Sequence, residues 1–248
     1  MRVAALYDIH GNLPALEAVL EDIRKADVDQ IVVGGDVVPG PMPSETLECL
    51  LDLDTPTHFI EGNGETEVLA QLAGIETGNV PESVREAVQW VGEQISPEQQ
   101  RQMGEWPAAV TLNVKGIGDV LFCHATPRNN VEIFTHQTSA ERVLQAFGGV
   151  SVPLVVCGHT HLQFDRLVGD LRIANAGSVG MPFSAPGAYW LLLGPNVTRR
   201  VTVYDFERAA RRVRATDYPQ AEDFAGRNIL RPPTEEQMLA IYANAELR

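Results

Sequence analysis

The sequence predicts an α/β fold whose polar chemistry sits at strand ends, and three observations carry that prediction. The runs VAALY at 3–7, IVV at 31–33 and VVC at 155–157 are apolar without alternation and too short for helices, which is the signature of strands buried on both faces. The first two runs, and a third at His58–Ile60, end in loops bearing Gly, Asp or Asn, and helical periodicity follows. His10, His124, His159 and His161 all stand just behind apolar runs, where α/β sheets deliver side chains to a shared site.

In chain order, Asn12 caps a helix with Pro14 in its first turn and Leu16, Val19, Leu20 and Ile23 on one face. A second helix is expected over about 44–51, after the turn Pro39-Gly40-Pro41. Helical segments follow near 65–73, 82–95 and 97–104, with Pro81 and Pro97 as starts and Gly74, Gly78 and Gly104 as stops. Val110–Val114 and Val120–Cys123 pair as a hairpin, a helix spans about 139–147, and the strand leading to Gly158 comes next. Phe164–Val168 and Leu171–Ala174 form a hairpin through Gly169-Asp170, and Tyr189–Leu193 and Val197–Val203 form another. From Asp205 the tail reads helical, broken at Pro232-Pro233. The expected organisation is one domain over 1–248, with a helical insertion at about 65–108 and a helical tail at about 205–248. Both are expected to shape access to the site and to supply no ligands.

With 248 residues, 44% of them hydrophobic, the chain can bury a substantial core. No apolar run approaches the length of a membrane span, and the polar loop after Tyr7 comes too early for a signal peptide, so a cytoplasmic protein is expected. Three scattered cysteines suit reduced, buried thiols. A net charge of −14 argues against a nucleic-acid polymer or an anionic membrane as partner and leaves a small ligand as the expectation; the oligomeric state stays open.

The polar residues behind the strands occur in the order Asp8-Ile9-His10, Gly34-Gly35-Asp36, Gly62-Asn63, His124 and Gly158-His159-Thr160-His161. A single H-x-H pair fits one packed and one solvated imidazole equally well, whereas five such signals together point to a metal centre. In this order the set resembles the calcineurin-like metallophosphoesterases, and Asn175-Ala176-Gly177-Ser178-Val179-Gly180 resembles the N-P-G-S-V-G segment of their small bacterial and archaeal phosphodiesterase branch. The resemblance spans roughly residues 1–205.

The resemblance implies a metallophosphoesterase-like sandwich of two mixed β-sheets flanked by helices. It implies two divalent transition-metal ions, Mn2+ first, with Fe, Zn, Co or Ni also suited to the donor set. Asp36 is the expected bridge, because two ions about 3.5–4 Å apart need a shared carboxylate. Asp8, His10 and His161 complete the first ion's ligands, and Asn63, His124 and His159 the second's. The implied activity is hydrolysis of phosphodiesters or small nucleotide-type esters by a metal-bound hydroxide. A nucleotidase or dinucleoside-polyphosphate hydrolase is the alternative among enzymes, and a non-catalytic protein-binding scaffold the alternative outside them.

The family's usual G-N-H-D or G-N-H-E reads Gly62-Asn63-Gly64-Glu65 here, so the usual general acid is missing. Glu65 is either its stand-in or a first-turn helix acid, and Gly64→His is expected to help poor leaving groups. Glu61 stands where the protein-phosphatase members place an arginine, which argues against phosphoprotein substrates. Arg128 is the candidate phosphate clamp, in a catalytic set with Asp36 and Asn63. His58 and His136 read as surface residues, Cys123 and Cys157 as core. The arginines at 199, 200, 208, 211, 212 and 214 read as a solvated face with internal pairing.

Overall fold

The chain forms two five-stranded mixed sheets with helices on their outer sides, seen in a computed structural model that describes residues 1–75, 82–245 and 247. Gly78 and Pro81, expected boundary signals, lie outside the described residues. The first sheet has the order β10-β9-β1-β2-β3, built from β1 (Val3–Leu6), β2 (Gln30–Val33), β3 (Thr57–Phe59), β9 (Ala188–Leu193) and β10 (Val197–Thr202). The second has the order β4-β5-β6-β8-β7, from β4 (Ala109–Val114), β5 (Gly118–Cys123), β6 (Leu154–Cys157), β7 (Phe164–Val168) and β8 (Leu171–Asn175). β1, β2 and β3 are parallel, as are β5, β6 and β8, so each sheet brings three carboxyl ends together.

The unalternating strand sequences follow from burial on both faces. Val3, Ala5 and Tyr7 join Phe122, Leu154 and Val156 in the core between the sheets. Ala4 and Leu6 face outward into a second core under α1 (Leu13–Lys25) and α2 (Pro43–Leu51). Val155 and Cys157 face a third core that includes Val143 and Phe147 of the α6 region (α6, Ala140–Ala146). α3 (Asn63–Leu72), α4 (Glu82–Gln94) and α5 (Pro97–Met103) fill the 63–103 stretch. Val68 of α3, Ala87, Val88 and Val91 of α4 and Met103 of α5 belong to the same core as α1 and α2, so this segment is part of the main packing and not only a cover.

The tail also enters that core. Ala209, Ala210 and Val213 of α7 (Phe206–Arg214) are buried in it, as are Phe224, Ala225 and Ile229 from α8 (Ala221–Phe224) and the π-helical turn at 225–230. α9 (Glu235–Tyr242) has no fully buried residue and lays Met238, Leu239 and Tyr242 against the third core. Several boundaries differ from the sequence reading by one or two residues, two of them at the site. β1 stops at Leu6, and α3 begins at Asn63 and not near 65, because a glutamate inside its first turn ties the helix start to a neighbouring loop.

Candidate metal centre

Each candidate ligand follows a strand end at the rim where the two sheets meet. Asp8 and His10 lie beyond β1, Asp36 beyond β2, Asn63 beyond β3, His124 beyond β5, and His159 and His161 beyond β6. The rim is closed by bonds between the sheets: the Tyr7 hydroxyl donates to the Val156 carbonyl at 3.1 Å, and His124 Nδ1 lies 2.8 Å from the Gly34 carbonyl. Five of these residues, Asp8, His10, Asp36, His159 and His161, hold the left-handed backbone region, with φ between 49° and 66°. Such a conformation costs a non-glycine residue roughly 1 kcal/mol or more, and its concentration here marks a site where geometry outranks local stability. The H-x-H is therefore not extended: β6 ends at Cys157, the chain turns, and the two imidazoles go to different clusters.

The clusters are Asp8/His10/His161 and Asp36/His124/His159, each with its potential ligand atoms within 4.8 Å of one another. Backbone carbonyls orient all four rings. His10 Nδ1 meets Pro39 O at 3.1 Å, His124 Nδ1 meets Gly34 O, His161 Nδ1 meets Met181 O at 2.7 Å, and His159 Nε2 meets Val131 O at 3.2 Å. A carbonyl only accepts, so each of these nitrogens carries the proton, and in a neutral ring the other nitrogen turns its lone pair inward. There the lone pairs meet acceptors. His10 Nε2 and His161 Nε2 are 3.2 Å apart, His124 Nε2 is 3.2 Å from Asn63 Oδ1 and 3.5 Å from Asp36 Oδ1, and His10 Nε2 is 3.6 Å from Asp36 Oδ2. Asp36 thus faces a histidine of each cluster with a different oxygen. Buried Asp8 Oδ1 and His159 Nδ1 have no hydrogen-bond partner among the described residues. A pocket of acceptors facing acceptors needs cations, and its imidazole, carboxylate and amide donors suit divalent transition metals.

The electrostatics fit this reading. Burial lowers His10 and His159 to about 3, with His161 and His124 respectively adding to the effect, so both rings are neutral donors at ordinary pH. Burial works to raise Asp8, but the imidazoles around it, His161 foremost, hold it at about 2. Burial and then the Asp8 charge raise Asp36, and burial works to lower His161, but Asp8, Asp36 and the Met181 carbonyl together raise it.

Residues that sequence reasoning had left ambiguous or unassigned position these ligands. Glu65 is fully buried and accepts four backbone N–H groups, from Asp36 (2.9 Å), Val37 (2.8 Å), Val38 (3.2 Å) and Gly62 (2.8 Å). Burial and the Asp36 charge push its carboxyl up to about 7, and those N–H groups keep it from rising further. With both oxygens engaged and no exposed surface, Glu65 positions the Asp36 loop against the start of α3 and does not serve a leaving group. Gly64 donates its N–H to Asp36 Oδ1 at 2.7 Å, and any Cβ there would collide with the Val38 carbonyl oxygen. The missing histidine is therefore a packing requirement of this chain, and Gly64→His has no room. In the 175–180 segment, Asn175 donates to Gly158 O at 2.6 Å and Ser178 donates to Asp8 O at 2.7 Å, fixing the loops that carry His159 and Asp8. Phe183 stacks on His161 at 4.7 Å between centroids.

The other candidates fall outside the two clusters. The Arg128 fork is engaged by buried Glu132, to which Nε donates at 3.1 Å and Nη2 also donates, so the guanidinium expected for a phosphate is already paired. His58 contacts Gln30 and His136 contacts Glu235. Cys123 and Cys157 are buried, and burial raises both thiols. Of the arginine run, Arg212 pairs with Glu17, Arg214 with Glu222, and Arg200 lies over Trp190.

Two mixed sheets that converge on paired Asp/His clusters define an α/β protein with two candidate metal-ligand groups at one rim. The chain belongs to the calcineurin-like phosphoesterase superfamily, whose domain model matches residues 1–194. It is 31% identical over 196 residues, 73% of this chain and 76% of the other, to the uncharacterized protein MJ0912 of Methanocaldococcus jannaschii. The crystal structure of a metallophosphoesterase from Sphaerobacter thermophilus aligns with a TM-score of 0.69 at 25% identity, covering 91% of this chain and 97% of that one. Hypothetical protein PH1004 from Pyrococcus horikoshii has the same fold, with a TM-score of 0.78 at 18% identity over 94% of this chain and 99% of its own. Among the described residues no helix is long and apolar enough to cross a membrane.

Proposed function

We propose that this protein hydrolyses phosphate esters, diesters or small nucleotide-type esters in preference to phosphoproteins, at a centre of two divalent metal ions. The reading rests on one observation above the others: Asp36 turns one carboxylate oxygen to a histidine of each cluster, and the histidine lone pairs point inward. Asp8, His10, Asp36 and His161 would hold one ion, and Asp36, Asn63, His124 and His159 the other. Two such ions supply Lewis acidity toward the phosphoryl oxygens and a hydroxide nucleophile at neutral pH. The chain's own contribution is orientation. The four carbonyls fix the imidazoles, Glu65 and Gly64 fix the Asp36 carboxylate, and the left-handed turns at His159 and His161 split the pair between the ions. Membership of a phosphoesterase family and the name of the Sphaerobacter relative support the reaction class. All seven ligand positions are retained, which favours an enzyme over a binding scaffold.

The net charge of −14 further favours a small substrate over a nucleic-acid polymer. The test is metal analysis of the purified protein followed by a Mn2+-supplemented screen of bis(p-nitrophenyl) phosphate, p-nitrophenyl phosphate and a nucleotide panel. Turnover that requires Mn2+, stops with a chelator and is faster on the diester than on the monoester is expected. Absence of hydrolysis across the panel by the metal-loaded protein would refute the proposal.

A further inference from the structure

A cavity of about 210 Å³ lies beside the Asp36/His124/His159 cluster, with His124, whose own side chain is buried, among its lining residues. Its other polar lining residues are Glu61, which follows β3, and Thr126, Arg128, Asn129 and Asn130 from the loop after β5. The volume matches that of about seven liquid-phase waters, which is enough for a small alcohol residue and too little for a peptide segment.

The chemistry of the walls is lopsided. Arg128 contributes no free positive charge, because Glu132 engages its fork. Asn129 Oδ1 accepts from the backbone of Val131 and Glu132, and Thr126 donates to Glu132, so the loop is built rigidly from within. Asn130 spends its amide N–H on Thr66 at 3.1 Å and Glu61 at 3.5 Å, leaving its carbonyl oxygen as an acceptor. Glu61 Oε1 takes the Thr66 hydroxyl at 2.6 Å, and Glu61 Oε2 has no partner among the described residues. The cavity therefore offers acceptors and an unbalanced negative charge beside the reacting centre.

We infer that this cavity receives an alcohol group of the phosphodiester and that Glu61 is its specificity-determining residue, selecting amino or hydroxylated alcohols without negative charge and rejecting those that carry a carboxylate or a second phosphate. The inference rests on the phosphoesterase reading and adds the class of alcohol. A second carboxylate held about 6 Å from Glu61 in a partly solvated cavity is disfavoured roughly tenfold.

The test compares kcat/KM of the full-length, Mn2+-loaded protein on glycerophosphoethanolamine and glycerophosphoserine, which differ by one carboxylate, followed by phosphorus NMR. The wild type is expected to prefer the ethanolamine ester about tenfold, Glu61→Gln to bring the ratio near one, and Glu61→Arg to reverse it. Isothermal titration with phosphoethanolamine and phosphoserine should give the same order of affinity, as a readout independent of turnover. If Glu61→Arg fails to fold, Glu61→Gln alone decides. Equal ratios in wild type and Glu61→Gln, or hydrolysis of bis(p-nitrophenyl) phosphate with neither glycerol diester accepted, would overturn the cavity assignment alone. Failure of the wild type on all three diesters would overturn the phosphoesterase reading with it.

Discussion

Replacing Glu65 by glutamine keeps the size of the side chain and removes half of its accepting capacity. Oε1 serves Val37 and Val38 and Oε2 serves Asp36 and Gly62, all through N–H donors, so whichever oxygen becomes an amide nitrogen leaves two buried N–H groups facing another donor. Each unsatisfied buried group costs about 1–3 kcal/mol, giving about 2–6 kcal/mol in total, with no cavity contribution because the shape is unchanged. At roughly 2–4 °C per kcal/mol for a chain of this size, thermal unfolding of the chelator-treated protein should fall by about 4–24 °C. Because the affected amides belong to Asp36 and to Gly62, next to Asn63, bound metal measured by mass spectrometry should fall below the wild-type content even well under the melting temperature. A Glu65→Gln protein that melts within about 1 °C of wild type and keeps its full metal content would refute the positioning role.

Gly64→Ala places a methyl group against the Val38 carbonyl and should cost about 1–3 kcal/mol together with metal affinity, since the Gly64 N–H that anchors Asp36 must move; equal stability and metal content would contradict this. Gly64→His meets the same carbonyl, so it should lower turnover on poor and good leaving groups alike, and a selective gain on poor ones would show that the loop yields. Asp36 and His161 hold protons in the metal-free protein to higher pH than ordinary carboxylates and imidazoles, so these protons must leave when metal binds. Mn2+ affinity should therefore rise with pH from 6 to 8, with net proton release seen in titrations run in two buffers; an affinity independent of pH with no protons released would contradict the inward-facing donor set.

Strand identity was legible in the sequence because burial on both faces leaves an uninterrupted apolar run, as in β1 and β6, and the candidate ligand positions were legible because they follow those runs. Three hairpin pairings were legible from their turns, but the assembly of the strands into two sheets was carried by the family resemblance, since local periodicity holds no record of which distant runs lie side by side. Glu65 was ambiguous for a physical reason: an acid in the first turn of a helix normally faces solvent and the helix dipole, and only the return of the Asp36 loop onto that turn buries it. The left-handed turns at Asp8, His10, Asp36, His159 and His161 leave no mark in composition, because strain imposed by a site is a property of the assembled rim. The pairing of Arg128 was hidden for the opposite reason, as its partner Glu132 stands four residues on in an irregular loop, where no helical spacing announces the pair.

The most direct test of the central claim is anomalous scattering from crystals of the wild-type protein and of Asp36→Asn grown with Mn2+. The wild type should show two peaks about 3.5–4 Å apart, with the Asp36 carboxylate reaching both, and the variant should lose at least one of them while the sheets stay in place. A single peak in the wild type, or two undiminished peaks in Asp36→Asn, would contradict the claim that this carboxylate joins the two clusters into one centre.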